Sequence, residues 1–316
     1  MQNETKTNET VQGTAVVSNE NQLSSGTPEK VFEVLTLTDL NWSVRKEKLV
    51  SETGLHTPNM GVFRSDNNAW LGTVTDKYTP YQNHELVTTI VEASHQIGLD
   101  IAKGGCLKNG RNVFVQIELK KANIGKSEVK RYITAMNSHN GRSSVAFGST
   151  NMVVACENMF YKVYKELQKF RHTKSTAEQI KLAVLELKNT INADVKLMQT
   201  FEMMASMKIE DEVVSNVMKS TFNIDMNKSQ DELGKRKVER SEVIFNAIAK
   251  EKGLAGDSLW GLFNGITRYT NHDSKHTMNK TDHLMMGKGY EQNLVAFDTI
   301  VKWIEQNTAE LVPVNA

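Results

Sequence analysis

Cysteine is scarce in this sequence. Cys106 and Cys156 are the only two in 316 residues, which excludes a disulfide-built scaffold, and no CxxC or Cys/His spacing offers zinc a ligand set. Long apolar runs are missing too: nothing approaches the roughly 20 residues that a membrane span needs, and the start lacks the basic-then-apolar order of a signal peptide. The expectation is a soluble, cytoplasmic protein that does not engage a membrane. Nucleotide and hydrolase signatures are equally absent. There is no GxGxxG, no GxxxxGK[ST], no HExxH and no GxSxG, so neither a phosphate cradle, a zinc protease nor a serine esterase has direct support. No cofactor and no metal are expected. Net charge is +1, with 38 basic and 37 acidic residues, so overall balance points to no partner.

The distribution of charge is more informative than its sum. Residues 101–174 carry fourteen Lys or Arg against four Glu and no Asp, an excess of ten, so the remainder of the chain is net acidic by nine. A segregated basic block on a neutral chain is the usual footprint of a surface that binds a polyanion, with affinity drawn from counterion release. The competing reading is a solvated surface paired with the acidic remainder. Metal-dependent nuclease chemistry needs converging carboxylates, and four glutamates scattered along the block argue against it there.

Three regions follow from composition. Residues 1–28 hold Asn, Thr, Ser, Gln, Gly and Glu with few large apolar side chains, and read as a disordered tail. Residues 29–174 read as a mixed α+β domain: a short helix over 37–46 that brings Trp42 into a core, a hairpin over 61–74 around Asn67-Asn68, a helix after Pro80 capped at Asn83, and a run of antiparallel strands. Residues 175–316 carry long helical patterns with almost no strand signal, as an oligomerisation or lid layer. The fold class is therefore α+β, an antiparallel hairpin sheet flanked by helices and followed by a mainly helical half.

Residues 131–160 form the expected working centre. Two strands meet at a polar turn in which Asn140-Gly141 is a tight-hairpin signal, residues 120–130 read as a charged hairpin loop, and a helix is expected from Glu157 to Phe170 with Lys162, Lys165, Lys169 and Arg171 on its polar face. Basic residues interleaved with aromatics suit a single nucleic-acid strand, because phosphates are neutralised while bases stack on rings. The candidate contacts are Lys130, Arg131, His139 and Arg142 from the turn, Tyr132 or Phe147 for stacking, and the four helix cations; no catalytic residue is assigned. Further along, residues 259–272 place Asn264, Arg268 and His272 four apart, as a helix packed by its aromatic stripe or as a polar row lining a groove.

The stretches LGTVTDKYTPYQNHEL (71–86), NSHNGRSSV (137–145), VVACENMF (153–160), RHT (171–173) and GLFNGITRYTNH (261–272) together resemble the phage/plasmid-like protein family, the domain-of-unknown-function family numbered nine-three-two. Its members carry a comparable KxYxPxQN strand-to-helix turn, a SHdGS loop, a vvCxN helix entry and a late NAxTeYxDH helix. This chain departs from the pattern at Gly265, where Ala is usual, and at Asn271, where Asp is usual. The resemblance implies a phage or plasmid setting and accessory work in replication or recombination. At fold level the order helix, antiparallel strands, helix is similar to phage single-strand annealing proteins such as Erf and RecT, which assemble into rings or filaments and bind single strands in a basic groove without nucleotide hydrolysis. The expectation is thus a homo-oligomeric, single-stranded DNA-binding protein that promotes annealing. Two alternatives stand beside it: a nucleic-acid-processing enzyme using His139, His172 and His272 as acid/base groups, and a phage structural or host-interaction protein.

Overall fold

The computed structural model describes residues 14–16, 28–142, 145–163 and 176–309, with side chains over 28–142, 145–163 and 182–308. The chain is α+β. Its strands are β1 (Thr14–Val16), β2 (Val44–Val50), β3 (His56–Arg64), β4 (Trp70–Thr75), β5 (Ile101–Leu107), β6 (Asn112–Ile124), β7 (Ser127–Ser138), β8 (Ala146–Val153) and β9 (Met159–Val163). Its helices are α1 (Pro28–Leu37), α2 (Asn83–Gln96), α3 (Thr176–Ser206), α4 (Asp211–Phe222), α5 (Gln230–Leu233), α6 (Lys235–Ala255), α7 (Leu259–Arg268), α8 (Lys280–Met286) and α9 (Lys288–Ala309). Among the described residues, β2-β3-β4 form one antiparallel sheet, and a second runs in the order β1-β5-β6-β7-β8-β9. The short β1 lies within the stretch whose composition reads as a tail.

Two compact units divide the chain. The first comprises residues 1–118, 134–147 and 168–187, and the second comprises 119–133, 148–167 and 188–316.

In the first unit the helix expected over 37–46 lies earlier, at α1. Thr38 ends it by donating its hydroxyl to the Val34 carbonyl at 2.6 Å, and Asp39 turns left-handed at φ 54°. The residues that follow, VRKEKLV, then pair with β3 as strand β2, with Val44 opposite Arg64. Trp42 is buried as expected. The hairpin around Asn67-Asn68 is present: Asn68 takes φ 59°, and the Asn67 side chain accepts from the Ala69 amide at 3.0 Å, the local bond that favours Asn in turns. Helix α2 begins after Gln82, one residue before the expected cap. The Glu85 carboxylate reaches back to accept from the Gln82 amide at 2.8 Å, half of a capping box. The Gln82 side chain then serves the strand, its Oε1 accepting from Val44 N at 2.8 Å and its Nε2 donating to Val44 O at 3.0 Å.

The charged hairpin expected over 120–130 is present, but it is strand up to its turn at 125–126 rather than an open loop. β6 and β7 extend through the charged stretch to a tight turn at Gly125, φ 55°. In the second unit Val163, Lys162, Tyr161, Phe160 and Met159 pair antiparallel with residues 148–152 of β8. The segment 159–163 is therefore a strand, where a helix from Glu157 was expected. Glu157 takes φ 53°, which a helix interior excludes, and Gly148 lets the Lys162 carbonyl approach so closely that any Cβ there would collide with it. The core of this unit is aromatic: Phe160 meets Phe263 at 5.0 Å and Phe201 meets Trp260 at 4.7 Å between ring centroids, arrangements that add to area burial. Helices α6 and α7 touch backbone to backbone at Gly265, where a Cβ would lie 2.5 Å from Ile248 Cα.

Candidate nucleic-acid interface

In the first unit two of the sequence stretches singled out above interlock. The Tyr78 hydroxyl donates to the Ser138 carbonyl at 3.0 Å, Asn137 Nδ2 donates to the Tyr81 carbonyl at 2.9 Å, and His139 Nε2 lies 2.8 Å from Asn83 Oδ1. Asn83 Nδ2 donates onward to the carbonyls of Leu40 and Trp42 at 3.2 and 3.0 Å. Trp42 sits edge-on to the His139 ring at 5.4 Å. The Arg64 guanidinium also lies on Trp42, 4.0 Å from its ring centre, and is held by both carboxylate oxygens of Asp66 at 2.9 and 2.6 Å. That bidentate pairing holds the Asp66 carboxyl below its ordinary range. Burial raises the Tyr78 phenol and pushes Tyr81 up to about 12. The TPYQN turn and the SHNG loop are thus one buried hydrogen-bonded knot.

An exposed patch adjoins this knot. β4 carries one extra residue opposite β3, since Gly72 pairs with Val62 while Trp70 pairs with Phe63; such a bulge re-aims the side chains beside it. Leu71 is buried at 1% and Trp70 stands 50% exposed. The Arg111 guanidinium lies 5.3 Å from the Trp70 ring centre, and its carbonyl accepts from the His139 amide at 2.8 Å. The 140–141 backbone rests on β4, so closely that a Cβ on Gly72 would sit 2.9 Å from Asn140 Cα and one on Gly141 would sit 2.7 Å from Val74 Cγ1. Gly141 has φ 72°. Asn140 Oδ1 organises the bend by accepting from Ser138 Oγ at 2.7 Å and from the Arg142 amide at 2.9 Å, which leaves Arg142 exposed. An indole and the Arg111 guanidinium therefore share one surface of this unit, and the bend that carries the exposed Arg142 packs on the same strand, β4.

The ten residues expected to contact nucleic acid separate accordingly. Arg142 is exposed on this patch, while His139 is fully buried beneath it. Phe147 is 3% exposed and Tyr132 is 7% exposed, so neither ring offers a face to a base in this arrangement. Arg131 lies in the second unit, where Nε donates to Asp194 Oδ2 at 2.9 Å and Nη2 also bonds that oxygen. Asp194 is fully buried and accepts from Ser149 Oγ at 2.6 Å, so this guanidinium is committed to holding α3 against β7 and β8. Lys130 is half-buried, and Lys162, on β9, places its ammonium 4.2 Å from the Phe297 ring centre. Lys165, Lys169 and Arg171 lie outside the described residues, as does His172. Sequence reasoning missed Trp70 and Arg111. The available signal was a tryptophan at the first residue of a strand following an Asn-Asn turn.

The second unit contains a matching knot. Asn158 Nδ2 donates to the Asn264 carbonyl at 3.1 Å, and Asn271 clamps Met159 from both sides, its Oδ1 accepting from the Met159 amide and its Nδ2 donating to the Met159 carbonyl, each at 3.1 Å. The expected Asn264-Arg268-His272 row does not persist as a groove wall. Asn264 is buried with its amide donating to Trp260 O at 2.8 Å. Arg268 pairs with the buried Glu251 at 3.2 Å. After Arg268 the helix widens into a π turn, Tyr269–Asp273, that carries His272 to the surface. Burial, with Lys280 and Arg268 nearby, lowers the His272 pKa. Burial likewise pushes the Cys106 thiol up to about 11 and Cys156 to about 12. Among the described residues no three His, Cys, Asp or Glu side chains gather as a metal site, and no helix is long and apolar enough to cross a membrane.

Comparison with curated proteins finds no match, and comparison with solved structures finds none. A family model does match, described as a domain of unknown function (DUF932), over residues 70–293. That span begins at Trp70 and takes in both knots. It covers well over half of the chain, and the protein belongs to the DUF932 family.

Proposed function

We propose that this protein binds single-stranded DNA and promotes annealing as a homo-oligomer, a ring or filament, in the recombination or replication of a phage or plasmid within the host cytoplasm. The observation that carries the reading is the half-exposed Trp70 ring with the Arg111 guanidinium beside it and Arg142 on the adjoining bend. An exposed indole stacks any base, and guanidinium groups beside it neutralise phosphates, which is how sequence-tolerant single-strand binders work. A duplex hides its base faces, so the same patch discriminates against double strands. The basic excess of residues 101–174, including Lys130 and Lys162, supplies the longer-range attraction.

The test is anisotropy of a labelled 40-mer, single- and double-stranded, over a salt series, with light scattering on the same samples. Trp70→Ala is expected to weaken single-strand binding by about 1–3 kcal/mol, the value of one stacked base, with the salt slope unchanged. Arg142→Gln is expected to reduce that slope by about one. Single-strand binding that is indifferent to both substitutions would remove this patch from the interface, and absence of binding at low salt would sink the function.

A further inference from the structure

In the second unit, α6, the π turn with the loop after it, α8 and the start of α9 enclose a cleft of about 720 Å³. Four cations line it: Arg236 and Arg240 from α6, Lys275 from the loop, and Lys288 from α9. Its two carboxylates are turned to cations that do not line it, Glu239 to Lys235 at 3.9 Å and Asp273 to Arg268 at 3.7 Å. Among the described residues none of the four lining cations is in an ion pair. The cleft therefore carries four cations against two carboxylates, and its field favours an anion.

Arg240 is also pre-positioned. Its Nε donates to the Tyr269 hydroxyl at 3.0 Å, and its guanidinium lies 4.8 Å from the Phe222 ring centre and 5.6 Å from that of Tyr269. One edge is thereby fixed and the remaining N–H groups are left in a planar fork, the geometry that matches phosphate oxygens. A pair of imidazoles completes the lining: His276 stacks on His283 with ring centroids 4.0 Å apart and planes 9° from parallel. His276 Nδ1 is 2.7 Å from the Met278 carbonyl, which accepts from it and leaves Nε2 as the outward nitrogen. His283 is 4% exposed, and among the described residues its Nε2 has no hydrogen-bond partner. Burial and the neighbouring His276 lower its pKa, so at neutral pH it is not a fifth cation. The π turn has a direct part in this: the Ser274 amide donates to Tyr269 O at 2.7 Å, closing the widened turn and directing residues 274–278 along the cleft. Single π turns inside α-helices concentrate at functional sites.

We infer that the cleft binds a small phosphorylated ligand of nucleotide size, its adjacent phosphate groups held by Arg236, Arg240, Lys275 and Lys288. Four cations against two carboxylates leave an excess of two, which suits an anion of charge two or more, and each phosphate monoester brings roughly −1.5 to −2 at neutral pH. The volume falls in the range of about 300–1,000 Å³ typical of small-molecule sites, and Val243, Tyr269 and Met278 supply an apolar wall for the organic part. Adjacent phosphates also occur along a nucleic-acid strand, so the two sources are separated in the test. This inference is independent of the single-strand reading, whose carrying residues Trp70, Arg111 and Arg142 belong to the first unit.

The experiment is isothermal titration of the full chain with inorganic tripolyphosphate, with adenosine triphosphate, and with a 12-mer oligodeoxynucleotide, repeated on the double variant Lys275→Gln/Lys288→Gln. Both lysines are exposed, so folding is preserved, and circular dichroism verifies it. The expected result is saturable 1:1 binding of both polyphosphate probes, weakened at least about tenfold in the double variant through loss of two charge-assisted contacts. Trp70→Ala should leave it unchanged. Absence of saturation with either polyphosphate probe, or equal affinity in the double variant, overturns the assignment. Binding of the oligonucleotide alone, lost in the double variant, also overturns it, because the phosphates would then belong to a strand.

Discussion

Replacing Arg131 by Ala should unfold the second unit far more readily than removing any free surface cation. Its guanidinium is the cation facing Asp194, whose carboxylate is fully buried while the Arg131 side chain keeps 14% exposure. Deleting one member of a buried pair typically costs about 3–5 kcal/mol, because the survivor's charge stays desolvated without compensation. The two partners differ in their way out. Without Arg131, Asp194 retains among the described residues only the Ser149 hydroxyl donor and is fully buried, so Arg131→Ala should show the whole penalty. Without the Asp194 charge, Arg131 retains the Lys120 carbonyl at 3.2 Å and a partly exposed edge, so Asp194→Asn should cost about 1.5–3 kcal/mol, the worth of hydrogen bonds to a charged group. In thermal unfolding the first substitution corresponds to a drop of roughly 6–20 °C, at about 2–4 °C per kcal/mol for a unit of this size. The assay is urea unfolding followed by tryptophan fluorescence, in which the buried Trp260 and Trp303 of this unit report its transition. A double-mutant cycle should give a coupling energy beyond about 1 kcal/mol. If Arg131→Ala stays within 1 kcal/mol of wild type, or costs less than Asp194→Asn, the pair is not formed and the phosphate role first expected of Arg131 regains its ground.

Two further outcomes are expected. Asn83→Ala takes the Asn83 donor from the Trp42 carbonyl and the acceptor from beside His139, while the Leu40 carbonyl keeps the Trp42 amide at 2.8 Å, and should cost about 2–4 kcal/mol given about 1–3 kcal/mol per buried group left without a partner; urea unfolding of the first unit checks it, and a loss below 0.5 kcal/mol would refute the knot. Burial favours the neutral thiols of Cys106 and Cys156, raised to about 11 and about 12, so the folded chain keeps protons that the unfolded chain releases above its ordinary thiol value of about 8.5. Their contribution to stability is therefore complete below about pH 8.5 and declines as pH rises toward 11 and 12. Alkylation by iodoacetamide at pH 8 should be slow at both cysteines until denaturant is added, and rapid labelling of the folded chain would contradict the burial.

Where the sequence was legible, a local pattern coincided with a local cause. The helical stripes after residue 175 became α3, α4, α6 and α9 within a few residues, since apolar periodicity decides which face packs. The Asn67-Asn68 turn likewise carries its own geometry. The misread elements are those in which a distant partner overrides local preference. VRKEKLV has weak alternation and many charges, and becomes strand β2 through pairing with β3 and through the Gln82 amide that serves both backbone groups of Val44. MFYKV has the apolar content of a helix start, yet Glu157 turns left-handed and Gly148 admits the Lys162 carbonyl, so the segment pairs with β8. The Asn140-Gly141 signal gave a bend at the expected place, but Gly141 alone of the two has positive φ, so the tight primed turn that needs both is not formed.

The same distinction explains why the candidate interface was only partly visible. Runs of basic and aromatic residues in sequence do not say which side chains a sheet will bury, and a strand pointing alternately inward and outward divides such a run between core and surface. Tyr132 and Phe147 went inward and Arg131 went to Asp194, while Trp70 was turned out by a bulge that no composition measure registers. The motif residues themselves are largely spent on structure: Tyr78, Asn83, Asn137 and His139 tie one unit, Asn158 and Asn271 the other. A buried Asn that satisfies both groups of a backbone residue, as Asn271 does for Met159, cannot become the Asp usual in the resembled family without turning a donor into an acceptor against the Met159 carbonyl. The asparagine at that place therefore marks a structural clamp in this chain, and chemistry is better sought on the surfaces that the two knots hold in position: the Trp70 patch beside the first, and the cationic cleft into which the turn after Arg268 opens.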